Sequence, residues 1–155
     1  MSIEEIRGFV ALSDKLATAG QPSEEQIKRL PDEGYDVVIN LGLMDPRYCL
    51  ADEHGLVESL GMSYYHIPVE FGAPTTTDLA RFFRVMDDNQ GKKIFVHCAA
   101  NYRVSCFVAM YAQAHYGWSD LEALNFIKRV WEPDHVWLQF MNNSAATAKV
   151  AVSDA

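Results

Sequence analysis

Two short apolar runs open the chain. Phe9-Val10-Ala11-Leu12 and Leu16-Ala17-Thr18-Ala19 flank Ser13-Asp14-Lys15, a pattern that predicts strand, turn and strand. Gly20-Gln21-Pro22 interrupts it, and Ser23 with Gln26 three residues on is a capping-box signature for a short helix ending by Pro31. Continuous Val37-Val38-Ile39 within 36–41 predicts a strand covered on both faces. Residues 42–50 read as loop. A helix is predicted over 52–60, interrupted by Gly55 and closed by Gly61, followed by a Tyr- and Ile-rich strand over 62–69 with Pro68 near its end. Residues 71–74 are loop. Thr75 with Asp78 resembles a cap, and Leu79, Phe82, Phe83 and Met86 then mark one face of a helix that stops before Gly91.

Residues 94–96 make a further strand that runs into Cys98. Residues 103–116 are apolar nearly all round, as in a helix buried on most sides, and Gly117 ends them. Ser119 with Glu122 is a second capping box; Leu121, Leu124, Ile127 and Trp131 line up for packing until Pro133 stops the helix. A last helix is predicted over 134–142, then a small, polar, frayed or loosely helical tail over 144–155. Strands alternating with helices imply an α/β fold: a single central, mostly parallel sheet flanked by helices, in one domain over 1–155 with its core about 9–142. In such sheets ligands bind beyond the carboxyl ends of the strands, and Cys98 lies at such an end.

With 49% hydrophobic and 22% charged residues, a 155-residue chain can bury a sizeable core. Its net charge of −8 argues against nucleic acid or an anionic membrane as a general partner. A local cradle can still be positive, so a phosphorylated protein or small molecule is the expected partner. Three cysteines, Cys49, Cys98 and Cys106, with no Cys-x-x-Cys pair, disfavour a disulfide scaffold or a zinc site and suit a reducing compartment. Residues 1–12 carry Glu4 and Glu5 ahead of their apolar part and do not read as a signal peptide; no run approaches the ~18 apolar residues of a membrane span. A cytoplasmic location is expected. His54, His66, His115 and His135 are isolated, without metal-ligand spacing, so no metal and no cofactor are expected; Trp118, Trp131 and Trp137 read as packing.

The chemistry concentrates after the strand that ends at Cys98. Ala99, Ala100, Asn101 and Tyr102 make a short loop, and Arg103, Val104 and Ser105 open the apolar helix. Backbone N–H groups of such a loop and of the helix N-terminus converge on one point and can hold an anion. The same field favours thiolate, the nucleophilic form of Cys98. A cation opposes the dipole at a helix start, so Arg103 makes sense there if its fork meets a phosphate-like group. Cys106 lies inside the apolar helix and reads as core. Ser105 either donates to the Cys98 sulfur or satisfies the helix. Gln21 and Asn40 fall near strand ends and are read as braces of the loop.

His-Cys, a short loop, Arg and then a hydroxyl together resemble the signature of cysteine-dependent phosphatases of the tyrosine and dual-specificity kind. Those enzymes place five residues between Cys and Arg, whereas Cys98 and Arg103 enclose four. Asn101 stands where they carry Gly. The short loop also resembles that of rhodanese-like sulfurtransferases. With Gly20-Gln21-Pro22 and Ile39-Asn40-Leu41, the chain is similar over about residues 9–140 to a bacterial group of phosphatase-like domains, some fused to β-lactamase-like hydrolases. The resemblance implies a phosphotyrosine-phosphatase-like fold and a metal-independent phosphatase in which Cys98 attacks phosphorus. His97 would order the loop, and residues 99–105 would bind phosphate. The family's acid, an aspartate on a separate loop, aligns with Phe71, so Glu70 one residue earlier is the candidate general acid, with Asp78 and Asp45 behind it. Two alternatives stand beside phosphatase: a sulfurtransferase carrying a persulfide on Cys98, and a pseudophosphatase that binds phosphate without turnover.

Overall fold

A computed structural model describes the backbone of residues 2–153 and the side chains of 2–144. Its strands are β1 (Val10–Ser13), β2 (Leu16–Ala19), β3 (Val37–Asn40), β4 (Ser63–His66) and β5 (Ile94–His97); its α-helices are α1 (Glu24–Arg29), α2 (Glu53–Ser59), α3 (Thr76–Asp88), α4 (Tyr102–His115), α5 (Asp120–Lys128) and α6 (His135–Ser153). The sheet order is β1-β2-β5-β3-β4. The β1–β2 hairpin is antiparallel and the other pairings are parallel, giving the mostly parallel sheet that the alternation predicts.

Register sets the rest. Ala19, His97, Asn40 and His66 stand side by side in one row across β2, β5, β3 and β4. All four chains therefore leave the sheet at the same edge, and their following segments must meet there. Strand alternation then sorts side chains between the two faces. Val37, Ile39, Ile94, Val96 and Cys98 face the core built with α3, α4, α5 and α6. Val38 and Phe95 face the smaller core that holds Ile27 and Val57 of α1 and α2. Both faces of β3 and β5 are covered, as their unbroken apolar runs require.

Helix α4 is buried from Arg103 through Ala112, matching its lack of a polar face. Helix α5 departs from the expected face. Ala123, Phe126 and Ile127 pack inward, while Leu121 is 67% exposed, because two residues of helix rotate a side chain by about 200° away from Ala123. The final helix runs well past 142, to Ser153; residues 154–155 of the expected frayed tail lie outside the described residues. β4 ends at His66 rather than 69, although Ile67 N–H and Val69 N–H still donate to Asn40 and Leu41 carbonyls on either side of Pro68. A 3-10 turn at Ile3–Glu5, which the pattern does not announce, is closed by its own capping box from Ser2. Among the described residues no helix is long and apolar enough to cross a membrane.

Candidate active site

Cys98 follows β5 directly and is 1% exposed. Its own N–H is taken by Ala19 O at 3.3 Å. The chain then turns through Asn101, which caps α4 at φ 70°, and the first helical bond is Ser105 N–H to Asn101 O at 2.8 Å. Between these two bonds lie the N–H groups of residues 99–104. Among the described residues those of Ala99, Ala100, Tyr102, Arg103 and Val104 have no protein acceptor, while the antiparallel Gly20–Ala100 bridge engages that of Asn101. Backbone N–H groups without a protein acceptor need water or a ligand as partner. Five such groups around a helix N-terminus, beside a cysteine, form an arrangement that can hold an anion, a cradle.

The cradle is built by close backbone approach. Gly20 bridges Ala100, and Gln21 N–H donates to Ala99 O at 3.0 Å. A Cβ on Gly20 would lie 2.6 Å from Ala99 O and 2.9 Å from Arg7 O, so only glycine fits. Asn101, in the left-handed conformation, is held by its own side chain: Nδ2 donates to Gly8 O at 2.7 Å and to Thr18 Oγ1 at 2.9 Å. Asn is among the few residues besides Gly that visit this region readily.

Arg103 points into the protein, 5% exposed, and donates from Nη1 to Val69 O at 2.9 Å; its Nε is buried without a partner. An unpaired buried donor on a guanidinium is costly unless an anion meets it. Through Val69, Arg103 also ties down the segment that carries Glu70 and Phe71. Glu70 is exposed, at the edge of this segment. Trp137 Nε1 donates to Phe71 O at 2.8 Å, and the Phe71 ring lies 6.2 Å from that of Tyr102, which stacks on Trp131 at 4.5 Å. So residues 69–71 run alongside 102–103. Of the two reserve acids, one is engaged elsewhere. Asp45 is gripped by Arg47 at 2.6 Å, and that hydrogen-bonded fork holds its carboxyl down at about 2, too strong an acid to carry a proton at neutral pH. Asp78 serves the first turn of α3, its N–H bound to Thr75 Oγ1 at 3.1 Å.

His97 faces the opposite side of the sheet from Cys98. Its Nε2 meets Glu53 Oε2 at 2.6 Å and its Nδ1 lies 3.2 Å from Cys98 O. Gln21 Nε2 donates to the other Glu53 oxygen at 2.8 Å. Burial works to raise the Glu53 pKa. The His97 charge, the hydrogen bonds from His97 and Gln21, and the His66 charge outweigh it and hold the carboxyl below its ordinary value. Asn40 braces the neighbouring turn, its Oδ1 accepting from Gly42 N–H at 2.8 Å. Ser105 takes the second of its two expected roles: it donates to Tyr102 O at 2.8 Å and accepts from Trp131 Nε1 at 3.1 Å. Cys106 is fully buried, and desolvation pushes its thiol up to about 12, so it stays neutral. Cys49 is half-buried beside a separate cleft lined by His54, Tyr64 and His66.

Residues 10–150 match the family model described as DSP-PTPase phosphatase fused to NAD+ kinase. The chain belongs to this family. A candidate phosphatase from Shewanella putrefaciens CN-32 is similar in both sequence and structure. It is 31% identical, with a TM-score of 0.85 over 94% of this chain and 96% of that one. P. aeruginosa TpbA in complex with phosphotyrosine (13% identity, TM-score 0.78, 96% of this chain and 91% of that one) shares the fold. So does PTPMT1 in complex with PI(5)P (19% identity, TM-score 0.77, 92% and 97%). No curated protein matches the chain. The tyrosine and dual-specificity phosphatase fold read from the His97-Cys98 segment is thus established, with one fewer residue in the loop of this family member.

Sequence reasoning missed Glu53. It sits 44 positions from His97, in a helix whose own pattern marks it only as a first-turn acid. The tryptophans read as packing carry a second duty, since two of them donate hydrogen bonds that fix Ser105 and the Phe71 carbonyl. Among the described residues, no group of three or more His, Cys, Asp or Glu side chains is placed to hold a metal ion.

Proposed function

We propose that this phosphatase-family chain hydrolyses phosphate monoesters through a phosphocysteine on Cys98. The observation that carries this is the loop from Cys98 to Arg103, with five N–H groups that take no protein acceptor among the described residues, together with the buried, unpaired Arg103 Nε. A tetrahedral dianion presents three non-bridging oxygens, and these amides and the guanidinium fork are the donors that would hold them in the transition state. The Cys98 thiolate forms the S–P bond in line as the P–O bond to the leaving group breaks. Glu70 gives its proton to the departing oxygen, then takes one from the water that cleaves the S–P bond, returning thiolate and inorganic phosphate. TpbA and PTPMT1, which share the fold, are complexed with phosphotyrosine and PI(5)P, so both phosphoprotein and small-molecule monoesters belong in the substrate panel.

Turnover of an aryl phosphate is the test. Cys98→Ser should reduce it by on the order of 10⁴-fold or more. Arg103→Lys, which loses the planar fork, should reduce it by about 10²–10³-fold. Turnover that survives Cys98→Ser removes the mechanism. The four-residue span from Cys98 to Arg103 favours a second reading, a sulfurtransferase, because a tighter ring of amides suits a single sulfur atom. Sulfur added to Cys98 by thiosulfate, seen by mass spectrometry with no phosphatase turnover, would select that reading instead.

A further inference from the structure

On the sheet face away from Cys98 lies a buried ionisable pair that the proposed chemistry does not use. His97 is 0% and Glu53 5% exposed, and both ring nitrogens of His97 face oxygens: Glu53 Oε2 at 2.6 Å and Cys98 O at 3.2 Å. A carbonyl oxygen only accepts, so Nδ1 carries a proton. A second proton lies between Nε2 and Oε2. Gln21, donating to Oε1 at 2.8 Å, favours the carboxylate and leaves that proton on the ring. Both ring nitrogens are thus engaged, and the ring is set behind Cys98.

We propose that Glu53 is a positioning residue for Cys98: it keeps His97 protonated on both nitrogens, so that the ring clamps the Cys98 carbonyl and lends positive charge to the sulfur. This rests on reading Cys98 as the nucleophile. The groups around the pair are consistent with that role. From β3, Asn40 donates to Tyr64 O–H, and Tyr64 on β4 stays neutral because burial and the Glu53 charge raise its pKa. His66 on β4 adds a positive contribution toward Glu53. From α2 itself, Asp52 is engaged with Gly55 N–H and His54 with Glu58. On the sulfur's side stands the neutral Cys106, and Arg103 reaches Val69 O of the same core. Glu53 lines the cleft with His54 and Tyr64, so changing it removes none of the N–H donors of the Cys98 loop.

The experiment follows iodoacetamide alkylation of Cys98, peptide by peptide, from about pH 5.5 to 9, in the wild type, Glu53→Gln, Glu53→Asp and Gln21→Met. Wild-type Cys98 should react near its maximal rate already at about pH 6.5. Glu53→Gln should react about tenfold more slowly there and catch up near pH 9, the signature of a lost charge near the sulfur. Glu53→Asp, which keeps the charge, and Gln21→Met, which weakens it, should fall between. KM for an aryl phosphate should stay within about twofold while kcat/KM follows the alkylation rate. A Glu53→Gln profile that overlays the wild type at every pH, with only a lower melting temperature, makes Glu53 a strut and overturns the proposal while Cys98 stands. A wild type that alkylates only at alkaline pH overturns both. If Glu53→Gln does not fold, Gln21→Met decides by the same comparison.

Discussion

Replacing Asn101 tests how the short loop is held. Two terms can be separated. The side chain donates to Gly8 O and to Thr18 Oγ1, and Thr18 Oγ1 in turn donates to Val10 O at 2.9 Å. The Thr18 bond is fully buried, so losing its donor costs about 1–3 kcal/mol, whereas water can partly replace the bond to Gly8. Asn101 Oδ1 is itself buried without a partner, so removing it returns part of that loss. Asn101→Gly should therefore destabilise by about 2 kcal/mol. Asn101→Ala adds the cost of a Cβ at φ 70°, about 1 kcal/mol more. Urea unfolding with a common slope reads both values directly. In a thermal melt they correspond to a fall of roughly 4–8 °C for Gly and a further 2–4 °C for Ala. Equal losses for Gly and Ala would show that backbone conformation plays no part. A Gly variant as stable as the parent would show that the two hydrogen bonds do not hold the loop.

Gly20→Ala puts a methyl against the backbone of Ala99, Arg7 and Ala100 (2.6, 2.9 and 3.0 Å), none of which can swing aside; a loss of about 1–3 kcal/mol and at least about tenfold in turnover is expected, and unchanged melting and kinetics would refute it. Because Glu53 has a folded pKa below its unfolded value near 4.5, its contribution is complete above that pH and is lost as pH falls through the folded value. Melting temperature should thus drop below about pH 4.5 more steeply in the wild type than in Glu53→Gln, and parallel curves would contradict the assignment. Cys106, with its thiol raised to about 12 by burial, should resist alkylation in the folded protein at any pH where Cys98 reacts and should label only on unfolding; early labelling of Cys106 would show that α4 is not packed as described.

Several parts of this site are visible along the chain because they are local. The apolar run into Cys98, the small loop and the apolar helix after Arg103 are contiguous, and strand, turn and helix propensities act over a few residues. Both helix caps at Ser23 and Ser119 form as their spacing predicts, for the same reason. Leu121 misleads because α5 presents to α4 the stripe through Ala123, Phe126 and Ile127, a choice made by the neighbouring helix rather than by α5. Gly20 looks like a pattern breaker in sequence, yet its cause is the carbonyl of Ala99, nearly eighty residues away along the chain.

The amino-acid order alone determined most element types, the place of the thiol at a strand end and the presence of a helix N-terminus beside it. Tertiary structure decided which groups surround that thiol. Parallel pairing aligns Ala19, His97 and Asn40 in one row, and only then do Gln21, the turn at Gly42 and the Val69 carbonyl reach the same edge. Strand alternation sends Cys98 to one face and His97 to the other, where Glu53 waits on α2. Contacts of this kind depend on which chain segments the sheet brings together, and no short-range pattern of hydrophobic and polar residues encodes that.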